Sequence, residues 1–166
     1  GSIVGDVILK GRKDFWAKPK LHYHHALQAG ENTLNLQCLR VLLRSSIPDY
    51  SADRFLTAYI DFMTTAGTHQ DTYAESFHRD FFANWAKGKP PEECAGVEDH
   101  NTASVGGLVL LPPVLVKSMG DWLTIRTQLQ LTHRSPKLEH YAEPVMGLLH
   151  TLLQQEHSAN LREQTL

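Results

Sequence analysis

The sequence has few cysteines and no long apolar run, and both absences restrict the class of protein. Its 166 residues include two cysteines, Cys38 and Cys94. Their spacing suits neither a metal site nor a disulfide framework, so we expect a reducing, cytoplasmic compartment. The longest mostly apolar stretch, residues 106–116, contains Pro112 and Pro113 and is far shorter than the ~20 residues that cross a bilayer. We therefore expect no membrane-spanning helix.

An excess of either charge is also missing. The chain has 16 Lys and Arg against 18 Asp and Glu, a formal net charge of −2. General nucleic-acid binding requires a basic surface that displaces counterions from phosphates, so we expect no nucleic-acid partner. The apolar fraction of 42% is ordinary for a globular protein, and the length suits one domain, which we assign to residues 1–166. The oligomeric state does not follow from these quantities.

Apolar residues recur at helical spacing through most of the chain, and strand-like alternation is absent. The pattern predicts helices over residues 33–46, 51–65, 72–87 and 121–131, and a long final helix after Ser135-Pro136. Thr33 and Ser51 are the expected N-caps of the first two. The buried face of the final helix is expected to be Leu138, Tyr141, Val145, Leu148 and Leu152. The sequence therefore predicts an all-α fold.

A polar cluster precedes the first of these helices. Glu31, Asn32 and Thr33 place a carboxylate, an amide and a hydroxyl together, and such hard oxygen donors are the ligands that Mg²⁺ prefers. The alternative is an ordinary capped helix with Glu31 in solvent. Taken alone, the motif favours this second interpretation.

A longer polar segment, residues 99–107, enters a helix start that carries two glycines. Its candidate ligand-binding residues are His100, Asn101, Thr102, Ser104, Gly106 and Gly107. Free backbone N–H groups at a helix N-terminus favour phosphate, and glycine permits close approach to the backbone. Helix packing through small residues explains the two glycines equally well.

The junction before the final helix contains Thr132 and His133. A hydroxyl and an imidazole at such a position are able to contact a polar ligand. A histidine at a junction is more often a structural hydrogen-bonding residue, so the ligand interpretation is the weaker one here.

Taken together, these segments resemble the ADP-ribosylglycohydrolase superfamily, in particular its crystallin J1-like branch. The resemblance covers residues of about 21 to 153. It is carried by residues 23–25, 29–35, 71–75 and 77–84, by the most specific stretches at 90–96, 100–108 and 111–113, and by the Thr-His-Arg-Ser sequence at 132–135.

The resemblance implies a compact multi-helix bundle that hydrolyses ADP-ribosyl adducts in a cleft with two magnesium ions. It places Glu31, Asn32 and Thr33 at the metal, with Glu31 as the catalytic carboxylate. Residues 100–107, with Thr132 and His133, match the segments that line ADP-ribose.

Two departures from the family pattern affect these expectations. Asn32 stands where an acid is usual, and no Asp-x-Asp-Thr sequence supplies the second half of the metal site. The domain is accordingly expected to be incomplete at its C-terminus and to bind Mg²⁺ weakly or not at all. The alternative function is a non-catalytic, crystallin-like structural or ADP-ribose-binding protein.

Overall fold

The structure, a computed structural model, describes residues 2–16, 18–98 and 103–163, with side chains except at Trp16 and residues 156–163. Within these ranges it contains helices and no β-strand, which confirms the all-α prediction. The α-helices are α1 (Lys13–Trp16), α2 (Leu34–Ser45), α3 (Ala52–Thr64), α4 (Ser76–Trp85), α5 (Leu111–Lys117), α6 (Trp122–Gln130) and α7 (Pro136–Glu163). Short helical turns lie at Ile3–Val7, Pro91–Glu93 and Val105–Leu108.

Side-chain caps begin three of the helices where the sequence indicates a helix start. Ser51 accepts a hydrogen bond from the backbone N–H of Arg54 at 3.3 Å and so begins α3. Asp121 accepts from Thr124 N at 2.9 Å at α6. Ser135 Oγ accepts from Leu138 N at 3.1 Å at α7. Each bond satisfies an N–H that has no partner within its helix, and the ends of these helices are therefore set locally.

The core is built mainly from α2, α3, α4 and α5. Helix α2 packs on α3 and α5, and α5 also packs on α6 and α7. Cys38 of α2 lies in this core, and burial raises the pKa of its thiol. The largest buried side chains include Phe55, Tyr59, Phe81 and Phe82. None of the described helices is long and apolar enough to cross a bilayer.

Helix α4 begins later than the periodicity predicts, at Ser76 instead of residue 72. The Asp71 carboxylate accepts a hydrogen bond from Leu34 N at 2.7 Å, and Thr72 donates to the carbonyl of Tyr23 at 2.5 Å. These bonds hold the segment outside the helix. Asp71 therefore caps α2 from a distant part of the chain, at a helix start where the side chain of Thr33 makes no capping bond.

The buried face of α7 differs from the predicted one. Leu138 is buried, but the residues that accompany it are Ala142 and Met146, with Leu149 partly buried. The predicted residues Tyr141, Val145, Leu148 and Leu152 are exposed. The two rows are neighbours on the same helix, and contact with the core selects the row that contains the smaller Ala142.

Candidate functional site

A carboxylate from the start of α4 contacts the loop that the sequence makes a candidate for ligand binding. Ser104 Oγ donates to Oε2 of Glu75 at 3.2 Å, and Nδ2 of Asn35 donates to Oε1 of the same carboxylate. His78 lies one turn along α4, with its Nε2 3.1 Å from Oδ1 of Asn35. We call Asn35, Glu75, His78, Ser104 and Gly106 the Glu75 cluster.

Two helix starts bring the Glu75 cluster together. Glu75 occupies the N-cap position of α4, and its side chain makes no capping bond there. Asn35 lies in the first turn of α2. The N-terminus of a helix carries a partial positive charge from its unpaired N–H groups, which favours a carboxylate at this position. The side chain of Glu75 is therefore held as a hydrogen-bond acceptor that faces the turn at Val105–Leu108.

The two predicted glycines have different roles in the structure. A Cβ atom on Gly106 would lie 2.6 Å from Oε2 of Glu75, so this glycine allows the backbone to approach the carboxylate. A Cβ atom on Gly107 would lie 2.5 Å from Leu138 Cδ2 and 3.1 Å from His133 Cδ2. Gly107 N donates to the carbonyl of Ser104 at 3.1 Å. Gly107 thus follows the helix-packing interpretation, whereas Gly106 adjoins a polar site.

Thr132 and His133 are both buried beside this turn. Thr132 Oγ1 lies 2.8 Å from Nδ1 of His133, and the ring of Phe77 lies 4.2 Å from the imidazole. Nε2 of His133 is buried and has no hydrogen-bond partner within the described part of the chain. A buried polar atom without a partner calls for a specific explanation, and a bound ligand or water supplies one. Burial lowers the pKa of His133 to about 4.

The lowered pKa of His133 predicts a pH-dependent stability. Below the usual histidine pKa of about 6.5, the unfolded chain binds a proton that the folded chain excludes. The free energy of unfolding should therefore fall between pH 6.5 and pH 4, by up to about 3 kcal/mol. Urea denaturation at several pH values gives the free energy of unfolding of the wild type and of His133→Gln. The contribution of His133 is the difference between the two proteins in how steeply this free energy changes with pH. Equal slopes in the two proteins would contradict it.

The predicted metal ligands lie in a different place. Glu31 and Asn32 line an open groove of about 350 Å³ whose lining contains none of the Glu75 cluster and includes the cation Arg40. The carboxylate of Glu31 accepts a hydrogen bond from Gln28 N at 2.8 Å. Across the described residues, no group of three or more His, Cys, Asp or Glu side chains is arranged to hold a metal ion. One carboxylate beside an arginine is a poor donor set for two magnesium ions, so these residues do not fit the implied metal centre.

We accordingly expect isothermal calorimetry to detect weak Mg²⁺ binding or none. The physical reason is that Glu31 is the one carboxylate among the described residues that line this groove and that the cation Arg40 lines the same groove. The variant Arg40→Gln removes the opposing charge, and the same measurement on it shows whether that charge weakens Mg²⁺ binding. Tight, stoichiometric Mg²⁺ binding by the wild type would contradict the expectation.

Three of the predicted ligand-binding residues, His100, Asn101 and Thr102, lie outside the described residues. Of the others, Ser104 and Gly106 contact Glu75, and Gly107 packs near His133. Sequence reasoning gave no role to Glu75, although it belongs to one of the segments that carry the resemblance. Comparisons with protein-family models, curated proteins and solved structures found no match. The case for a function therefore depends on the chemistry of these residues.

Proposed function

We propose that the chain is an ADP-ribosylglycohydrolase-like hydrolase that acts on ADP-ribosyl adducts, with Glu75 as its catalytic carboxylate. The observation that supports this most is the contact of Glu75 with Ser104 and Gly106. The family resemblance matches residues 100–107 of the same loop to the segment that lines ADP-ribose. Nε2 of His133, which has no hydrogen-bond partner among the described residues, lies next to Gly107 and adds a second polar group at this place.

The chemistry asked of Glu75 is general base catalysis. A carboxylate offers about four lone-pair positions, and Asn35 and Ser104 occupy two of them. In the proposed reaction Glu75 takes a proton from water as the water oxygen forms its bond to the anomeric carbon of the distal ribose. The bond from that carbon to the leaving group breaks, the bonding electron pair leaves with that group, and the group takes a proton from solvent as it departs.

Glu31 is the other candidate for the carboxylate that orients the water, on the strength of the family resemblance. It is exposed, and its carboxylate is bonded to Gln28 N in the groove that includes Arg40. Glu75 is half-buried between two helix starts, where a carboxylate is held in one orientation. This difference in environment is why we place the reacting carbon at Glu75.

A second candidate is a non-catalytic protein that binds ADP-ribose. The observation in its favour is the donor set at Glu31, Asn32 and Thr33, which does not fit the magnesium centre of the family. Backbone donors and the groups around Ser104 and His133 require no metal in order to recognise a ribose or a diphosphate. Recognition is able to persist where hydrolysis has been lost.

One paired experiment separates the two candidates. Release of ADP-ribose is measured from peptides ADP-ribosylated through arginine, serine or acyl linkages, with and without Mg²⁺, and thermal unfolding is followed with free ADP-ribose. We expect stabilisation by ADP-ribose together with turnover of at least one linkage. Stabilisation without turnover of any linkage would favour the binding protein. The absence of both would exclude both candidates.

A further inference from the structure

A row of hydrogen-bonded side chains connects the core to the Glu75 carboxylate. The hydroxyl of Tyr59 on α3 lies 2.6 Å from Nδ1 of His78 on α4. Nε2 of the same ring lies 3.1 Å from Oδ1 of Asn35, and Nδ2 of Asn35 donates to Glu75. Tyr59 and His78 are each fully buried. The row therefore begins among the aromatic side chains of the core and ends at the proposed catalytic group.

With an acceptor-only carboxylate at one end, the bonds of this row are compatible with one direction. An ionised carboxylate only accepts hydrogen bonds, so the Asn35 atom next to Glu75 is the amide nitrogen and the atom next to His78 is the carbonyl oxygen. That oxygen also only accepts, so His78 donates from Nε2. A neutral imidazole carries one N–H, which leaves Nδ1 as an acceptor for the Tyr59 hydroxyl.

The surroundings of His78 keep its ring neutral. Burial lowers the pKa of His78 well below its usual value, and His133, His69 and Arg79 act in the same direction. The ring of Phe77, on the same helix, has its centroid 3.9 Å from the centroid of the His78 imidazole. A single N–H on Nε2 is therefore the form that satisfies both neighbours of the imidazole.

We propose that Tyr59 and His78 are positioning residues, which fix the orientation of the Asn35 amide and, through it, the Glu75 carboxylate. With the amide reversed, the Asn35 carbonyl oxygen would face a carboxylate oxygen, and two acceptors in contact repel each other. The His78 N–H also opposes that arrangement, because the reversed amide would turn its NH2 group toward a second donor. The consequence for catalysis rests on the proposed function, whereas the direction of the bonds does not.

Nuclear magnetic resonance of the imidazole nitrogens tests the direction of the bonds on the unmodified protein. Long-range ¹H–¹⁵N spectra at pH 7 distinguish the two neutral tautomers and the charged ring. The His78 signals are assigned as those that disappear in His78→Gln. We expect a protonated Nε2 and an unprotonated Nδ1. A proton on Nδ1, in the neutral or the charged ring, would overturn the proposal.

Steady-state kinetics tests the positioning role through two matched comparisons. Tyr59→Phe removes the donor to Nδ1, while Tyr50→Phe removes a hydroxyl that donates to Gln128 Oε1 at 2.9 Å. We expect Tyr59→Phe to lower kcat severalfold at unchanged KM and Tyr50→Phe to have no effect on kcat. His78→Leu should lower kcat by about tenfold to a hundredfold, as expected for a displaced catalytic group. His78→Gln keeps an N–H donor, so its kcat should be much closer to that of the wild type than the kcat of His78→Leu.

The kinetic and the spectroscopic results contradict different parts of the proposal. Unchanged kcat in folded Tyr59→Phe and His78→Leu would show that Glu75 is oriented without the row, and the positioning role would be wrong. If His78→Leu does not fold, the comparison of Tyr59→Phe with Tyr50→Phe decides. A wild type without any turnover would contradict the proposed hydrolysis, while the His78 tautomer would still decide whether the row runs in the stated direction.

Discussion

Replacement of Glu75 by glutamine is expected to reduce the release of ADP-ribose from ADP-ribosylated peptides by about 10²- to 10⁴-fold, the usual contribution of a general base. Glutamine has the shape of glutamate, so it fits between Asn35 and Ser104 and keeps an oxygen for the Asn35 donor. The variant should remain folded and should still be stabilised by ADP-ribose. Initial rates at saturating substrate measure the effect.

Two further glutamate variants make this result specific. Glu143 lies on the exposed side of α7, so Glu143→Gln should leave the rate unchanged. Glu31→Gln tests the catalytic residue that the family resemblance indicates. A large loss in Glu31→Gln with a normal rate in Glu75→Gln would assign the reaction to the Glu31 groove and contradict our assignment.

The second large effect is expected at Gly106. In Gly106→Ala the new Cβ atom would lie 2.6 Å from one carboxylate oxygen of Glu75 and 2.8 Å from the other, so Glu75 must move. We expect the stabilisation by ADP-ribose, about 2.7 kcal/mol at a hundredfold excess over the dissociation constant, to be lost. Thermal or chemical denaturation with and without ADP-ribose measures it.

Gly147→Ala is the matched control for this variant. Gly147 lies within α7, and a Cβ atom there meets nothing within 4 Å among the described residues. Alanine in a helix interior is favoured over glycine by about 0.8–1.0 kcal/mol, so this variant should be more stable and should respond to ADP-ribose as the wild type does. Retention of the full response in Gly106→Ala would remove Gly106 from the binding site.

The elements that sequence reasoning predicted well are those with local signals. Ser51, Asp121 and Ser135 each accept a hydrogen bond from an N–H three residues ahead, and such a bond requires no knowledge of the rest of the fold. Of the apolar residues at helical spacing in α3, Phe55, Tyr59 and Met63 are likewise buried, and Phe62 is partly buried. Neighbouring residues in the sequence are sufficient to specify these features.

The errors arise where distant residues decide. The start of α4 depends on bonds from Asp71 to Leu34 and from Thr72 to Tyr23, which are far away in the sequence. The buried face of α7 depends on which of two adjacent rows fits the core. Local periodicity favoured the row of larger residues at 141, 145, 148 and 152, and packing selected Ala142 and Met146.

The candidate site combines residues that the sequence pattern indicates with one that it does not. The composition of residues 99–107 suits a ligand-binding loop or helix packing equally well, and Ser104 and Gly106 of that segment contact Glu75. Glu75 gave no separate signal, because a single acid before a helix is an ordinary feature of surface helices. Its contacts with Asn35, 40 positions away, and with Ser104, 29 positions away, exist only in the folded chain.

The most direct test of the central claim is a crystal structure of the chain with bound ADP-ribose. We expect the distal ribose to lie against Gly106, with its anomeric carbon placed so that one water lies between that carbon and Glu75. That water should lie about 2.6–3.2 Å from a carboxylate oxygen, the distance over which a general base takes a proton. ADP-ribose bound instead in the groove of Glu31 and Arg40, with Glu75 making no contact with it, would contradict the account.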